Sequence, residues 1–267
     1  MSNTYNEKEI QVNSTCFSYF ETEGCQGIPW LLLHGTRDNK LVWEGVLSEF
    51  AGKNHMIALD LRGHGKSEKT DCEYSYDLFI EDILNFIKTL GFDKINILGH
   101  SLGGAIGMYF TVKNPDLVNK LGLFGSLASD RLDFKPDVRG KSHAEIINEL
   151  CRFFFPKQRK VVPSAIVEYV EKQITSGWVN NITPVTHKRL NELKRVNLTE
   201  YLKDIKAETL LVYGELDGVA KVSSGRQIHE KMENSSFHII EDTGHFFFLE
   251  RPDEVYTILG AFLKDRD

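Results

Sequence analysis

The sequence predicts an α/β fold: a mostly parallel, doubly wound sheet with an inserted helical cap. Three observations lead there. Short apolar runs rich in Ile, Leu and Val alternate with stretches of helical period, the pattern of parallel strands joined by crossover helices. The alternation stops between Asp130 and about Asp204, where the residues offer helices and no strand. With 267 residues, 41% hydrophobic and 26% charged, the chain is long and apolar enough to bury a large core as one elaborated domain.

Taken in order, Glu9 to Glu21 alternates apolar and polar residues and suggests one or two antiparallel strands before the parallel sheet begins near Ile28. Strands are expected at Ile28–Leu33, Met56–Leu59, Ile95–Leu98 and Leu121–Phe124, separated by helices near Val42–Ala51, Tyr76–Leu90 and Leu102–Lys113. In the last helix Ala105, Ile106, Met108, Tyr109 and Val112 keep close to a 3.6 period, and Asn114-Pro115 closes it. Strands at Leu210–Tyr213 and Phe237–Ile240 and helices at Lys221–Met232 and Asp253–Phe262 finish the core. The core is therefore assigned to residues 1–129 and 205–267 and the cap to 130–204, with cap helices at Ala144–Phe154, Ser164–Ile174 and Pro184–Lys194.

The cap holds 14 Lys or Arg against 10 Asp or Glu, a net of +4, and the other residues hold 18 against 28, a net of −10. A basic lid favours anionic substrates or an acidic carrier, although a solvated helix face has the same composition. Phe153, Phe154, Phe155 and Trp178 either line an acyl pocket or pack the cap onto the core.

Other classes are excluded by what the sequence lacks. There is no run of about 18 apolar residues, and Met1 to Glu9 is polar and acidic, so a cytoplasmic location is expected. Cys16, Cys25, Cys72 and Cys151 are irregularly spaced with no C-x-x-C, which implies neither a disulfide framework nor a zinc site. A net charge of −6 and a pI near 5.9, with no basic stripe, argue against nucleic-acid binding.

The chemistry is concentrated at strand ends. The apolar run Lys94 to Leu98 leads into Gly99-His100-Ser101-Leu102-Gly103-Gly104, so a strand ends in G-x-S-x-G and a helix follows at once. That layout is a nucleophile elbow: Gly99 and Gly103 leave room where the backbone bends, and the bend presents the Ser101 hydroxyl at the sheet's edge. The plainer role for Ser101 is a helix N-cap. A serine hydroxyl needs a base, an acid to orient the base, and donors for the oxyanion. Asp217 leaves one late strand and His245 leaves the next. Asp217 has an alternative role capping its own loop, with Glu215 or Asp242 as the carboxylate instead. His64 and His100 precede the wrong elements for a general base, and His34 is suited to buttressing the turn His34-Gly35-Thr36. The backbone N–H groups of Thr36 and Leu102 are the expected oxyanion hole, the second at a helix N-terminus.

These segments together resemble the α/β-hydrolase superfamily, specifically the capped group that includes many bacterial esterases and C–C bond hydrolases. The resemblance rests on His34-Gly35, Asp60 to Ser67, Gly99 to Gly104, Gly214 to Asp217, and Gly244-His245 with Leu249 to Pro252, and spans residues 34 to 252. It implies the order Ser101, Asp217, His245 for a catalytic triad. It also makes haloalkane dehalogenase and epoxide hydrolase activities unexpected, because those relatives carry aspartate where this chain has Ser101. The Asp60 to Ser67 loop is expected to be structural, with Arg62 anchoring nearby backbone carbonyls. The expected activity is hydrolysis of a carboxylic ester or thioester through an acyl-enzyme, without a cofactor, on a small acyl substrate that is either neutral, anionic or carrier-bound. The rivals are a C–C bond hydrolase using the same triad and a ligand receptor with a slow hydrolase pocket.

Overall fold

The computed structural model describes residues 5–129, 142, 145, 163–175, 184–193 and 196–264. Its strands are β1 (Tyr5–Val12), β2 (Thr15–Thr22), β3 (Trp30–Leu33), β4 (Met56–Leu59), β5 (Ile95–His100), β6 (Val118–Phe124), β7 (Glu208–Gly214) and β8 (Ser235–Ile240). The helices are α1 (Glu44–Phe50), α2 (Tyr76–Thr89), α3 (Leu102–Lys113), α4 (Ser164–Thr175), α5 (Pro184–Asn191), α6 (Val222–Lys231), α7 (Phe247–Glu250) and α8 (Pro252–Leu263). Among the described residues the strands form one sheet in the order β1-β2-β4-β3-β5-β6-β7-β8. The pairs β1–β2 and β2–β4 are antiparallel and the rest are parallel.

The parallel strands β3 to β7 are buried on both faces, as crossover helices require, and the edge strand β8 is fully buried only at Ile240. Successive residues therefore alternate between two cores. Leu31, Leu33, Ile57, Leu59 and Ile97 pack with α2, α3 and α6 on one side. Trp30, Leu32, Met56, Ala58 and Leu98 pack with α1, α7 and α8 on the other. Helix α3 is apolar nearly all round, from Leu102 to Phe110, because it runs buried against the sheet behind the elbow.

Several strands are longer than their apolar runs. β6 starts at Val118 rather than Leu121 because Lys120 is buried there, its Nζ donating to the carbonyls of Phe262 at 3.1 Å and Lys264 at 2.5 Å. These are free carbonyls at the C-terminus of α8, where a cation also meets the negative end of the helix dipole. β7 and β8 likewise begin at polar residues, Glu208 and Ser235. The expected helix at Val42–Ala51 is a 3₁₀ turn, Lys40–Trp43, continued by α1.

Between β6 and β7 lie α4 and α5, close to the helices expected at Ser164–Ile174 and Pro184–Lys194. The expected helix at Ala144–Phe154, the aromatic residues 153–155 and 178, and Cys151 lie outside the described residues. Ile166 and Val170, one turn apart on α4, join the core of α1, α7 and α8. No helix among the described residues is long and apolar enough to cross a membrane.

The sheet's order reverses between β3 and β5. Chain direction runs outward from β3 to β4, then returns to β5 on the other side of β3. The carboxyl ends at such a switch point open a crevice between diverging loops, where ligands of open α/β sheets bind. Leu33 pairs with Gly99, so the ends of β3 and β5 are flush and the loops carrying Thr36 and Ser101 leave side by side.

Candidate active site

Ser101 has φ 53° and ψ −115°, a left-handed conformation that a non-glycine residue holds only when its surroundings force it. The forcing contacts are visible. Ser101 N–H donates to the Phe124 carbonyl at 2.9 Å, and its own carbonyl accepts from Gly104 and Ala105 N–H at 3.1 Å each. A Cβ on Gly103 would overlap the backbone of Leu33, and one on Gly99 would overlap the backbone of Gly103. Strand and helix approach so closely here that only glycine fits on either side of the serine. The Ser101 side chain makes no capping bond to the helix it precedes, so the N-cap role does not describe it.

Asp217 and His245 are brought together at the ends of β7 and β8, with His245 Nδ1 2.7 Å from Asp217 Oδ2 and both residues buried. An ionised carboxylate has only lone pairs to offer, so Nδ1–H is the donor of this bond and Nε2 is the ring nitrogen left facing away from Asp217. Asp217 also serves its own loop: Oδ1 accepts from Val219 N–H at 2.7 Å and Ala220 N–H at 2.8 Å. The loop bonds and the His245 bond use different oxygens of one carboxylate. Glu215 accepts from Asp242 N–H at 2.9 Å and braces the turn before His245.

His100 ties the serine loop to the histidine loop. Its Nε2 is 3.1 Å from the His245 carbonyl, which makes Nε2 the donor, and its ring lies 4.6 Å from that of His245 between Phe246 and Phe248 at 5.1 Å each. Burial holds its pKa well below the ordinary value, so it is a neutral wedge. A Cβ on Gly35 would lie 3.2 Å from His100 Nδ1 and 3.3 Å from Ser101 Cβ, so the β3 turn abuts the turn that carries Ser101.

That turn is itself held by His34. Its Nδ1 donates to the Gly35 carbonyl at 2.8 Å, and its Nε2 accepts from Leu61 N–H at 3.0 Å, which fixes one neutral tautomer. Burial lowers its pKa to about 4. Thr36 follows, half-buried, and Leu102 is the first residue of α3, whose N–H has no acceptor within the helix.

The Asp60 loop is structural in its bonding. Asp60 accepts from the backbone N–H of Lys40 at 2.7 Å and of Lys66 at 2.9 Å, and pairs with the buried Lys40 ammonium at 2.6 Å. Arg62 differs from expectation. It forks onto Asp82 of α2, with Nε at 2.7 Å from Oδ2 and a second bond to Oδ1, and reaches Thr70. A carboxylate matches the planar guanidinium with two parallel bonds, which backbone carbonyls do not.

Gly125 was not singled out in the sequence. It has φ 51°, and a Cβ there would lie 3.2 Å from both Asp217 Oδ2 and His245 Nδ1. Its position directly after a predicted strand was the available signal. Among the described residues no group of three His, Cys, Asp or Glu side chains is placed to hold a metal ion.

The chain is similar to known proteins over most of its length. A model of the alpha/beta hydrolase fold matches residues 29–252. A 2-hydroxy-6-oxo-6-(2'-aminophenyl)hexa-2,4-dienoic acid hydrolase of Metapseudomonas resinovorans is 27% identical over 256 residues, covering 91% of this chain and 87% of that one. A serine hydrolase involved in carbazole degradation superposes with a TM-score of 0.79 at 26% identity over 97% of this chain and 98% of that one. A thermophilic esterase from Thermogutta terrifontis shares the fold, with a TM-score of 0.80 at 22% identity over 97% and 98% of the two chains.

Proposed function

Because the chain belongs to the alpha/beta hydrolase family, we propose that it is a serine hydrolase that cleaves a carboxylic ester or thioester through an acyl-enzyme. The reading is carried by the buried 2.7 Å Asp217–His245 pair, whose histidine loop is tied by His100 to a serine held at φ 53°. In the first step the Ser101 oxygen attacks the substrate carbonyl and His245 Nε2 takes the hydroxyl proton, with Asp217 stabilising the imidazolium. The N–H groups of Thr36 and Leu102 receive the oxyanion, each worth about 2.7 to 4 kcal/mol if preorganised. As the tetrahedral adduct collapses, His245 returns its proton to the departing alcohol or thiol. Water then repeats the sequence on the acyl-enzyme, and the triad is regenerated without a cofactor.

In this reading residues 130–204 are a cap, and its helices α4 and α5 bond the turn that follows Thr36, at Asp38 and Asn39 and at Arg37 respectively. The excess of 14 Lys or Arg over 10 Asp or Glu across residues 130–204 suits an anionic or carrier-bound acyl substrate. A second reading, C–C bond hydrolysis by the same triad, is favoured by the Metapseudomonas relative and its named dienoic acid reaction.

The test is a panel of p-nitrophenyl esters of increasing acyl length beside acyl thioesters, recorded for a burst, with a dienoic acid of the relative's type in parallel. The proposal expects one equivalent of leaving group released rapidly, followed by steady turnover. Faster turnover of the dienoic acid than of every ester and thioester would replace the first reading with the second.

A further inference from the structure

We propose that the inserted helices hold the oxyanion turn in shape, with Tyr169, Gln173 and Asn191 as positioning residues for the Thr36 N–H. The inference rests on Thr36 being an oxyanion donor, as read above.

The turn lies between two firm anchors. Up to Gly35 the chain is held by the pairing of β3 and by His34, and from Lys40 onward it is held by Asp60 and by the 3₁₀ turn. Between them the backbone is strained, with Arg37 at φ 59°. The bonds inside the turn are local: Asp38 N–H donates to the Gly35 carbonyl at 3.2 Å and Asn39 N–H to Asp38 Oδ1 at 2.8 Å.

Three consecutive residues of this turn each bond a side chain of the insertion. Arg37 donates to Asn191 Oδ1 at 2.6 Å, Tyr169 OH donates to Asp38 Oδ1, and Asn39 exchanges two bonds with Gln173, one of them Gln173 Nε2 to Asn39 Oδ1 at 3.3 Å. Tyr169 and Gln173 are four residues apart, so one face of α4 meets residues 38 and 39 together. The Tyr169 ring also lies 5.9 Å from Phe246, the residue after His245.

Asp38 makes the clamp sensitive. It is buried, and its Oδ2 has no hydrogen-bond partner. Removing the Tyr169 hydroxyl would leave a buried carboxyl held by backbone N–H alone, and such a group moves to find another donor. Any such movement displaces Thr36, two residues away.

Two measurements test the clamp on the full chain. Hydrogen exchange reads the amides of Asp38, Asn39, Lys40 and Leu41, all hydrogen-bonded in the structure. Tyr169→Phe and Asn191→Leu should each speed exchange there by about tenfold or more and leave β5 and β6 unchanged. In ester turnover the same variants should lower kcat about 10- to 30-fold with KM nearly constant, and weaken a trifluoromethyl ketone inhibitor by the same factor. Asn191→Asp keeps an acceptor for Arg37 and should behave as the wild type. Unchanged exchange in the turn, or a raised KM at constant kcat, would overturn the proposal. If the turn loosens in the variants but the wild-type protein turns over no ester, the clamp stands and the ester-hydrolase reading falls.

Discussion

Acidification from pH 7 to pH 5 should destabilise this protein steeply, because three imidazoles are buried in their neutral form. His34, His64 and His100 each bond a carbonyl oxygen through one ring nitrogen. Burial pulls the pKa down to about 4 for His34, to about 3 for His64 and well below the ordinary value for His100. In the unfolded chain all three titrate near 6.5. Their contribution to stability is thus complete above pH ~6.5 and is lost as the pH falls toward ~4, where the unfolded chain holds about three protons that the native state refuses. Asp38 acts in the opposite direction. Burial raises its pKa to about 7, so the native state keeps a proton that the unfolded chain has released, and this contribution grows as the pH falls from ~7 to ~4. The balance is about two protons near pH 5, or ~2.7 kcal/mol lost per pH unit, against a total stability of about 5–15 kcal/mol. Urea unfolding followed by circular dichroism from pH 4.5 to 7.5 measures the slope. His64→Gln removes one titration and should flatten it by ~1.4 kcal/mol per pH unit, whatever the variant's absolute stability, whereas Asp38→Asn should steepen it by a similar amount. A stability that is flat between pH 7 and 5, or a His64→Gln slope equal to the wild type's, would refute the reasoning.

Other expectations concern the site. His245→Ala and Asp217→Asn should each lower kcat at least about 10³-fold, with the double variant little worse than the more damaged single; additive losses in ester kinetics would mean that the pair does not act as a unit. Thr36→Ala keeps the backbone donor and should be mild, whereas Thr36→Pro deletes it and should cost about 10²- to 10³-fold in kcat with the circular dichroism preserved. Gly103→Ala should destabilise by about 3 kcal/mol, since the atoms in its way are the Leu33 backbone. Gly218→Ala, with open space around it, should stay within about 0.5 kcal/mol of wild type, and urea unfolding measures both variants.

What was legible in the sequence is what local chemistry determines. The elbow around Ser101 is contiguous, and its glycines are required by backbone overlap that any such strand-to-helix bend creates. Asp217 and His245 are distant in sequence but sit in equivalent places after apolar strands, so the parallel sheet itself brings them together. Less legible were features that depend on partners far along the chain. A lysine inside β6 argues against a strand until the carbonyls at the end of α8 are seen beside it. Arg62 follows the same rule, because its carboxylate partner Asp82 lies on α2, 20 residues on. The clamp on residues 37–39 joins positions 131 to 154 residues apart, and no periodicity in either segment announces it.

The central claim is that Ser101 is a nucleophile activated by His245, and covalent labelling tests it most directly. The intact protein would be treated with a fluorophosphonate, weighed by mass spectrometry and digested to locate the adduct, with Ser101→Ala as control. The account predicts one adduct per chain, on Ser101, formed in step with loss of ester turnover and much slower in His245→Ala. An adduct on another residue, equal labelling of Ser101→Ala, or turnover that survives full modification of Ser101 would contradict it.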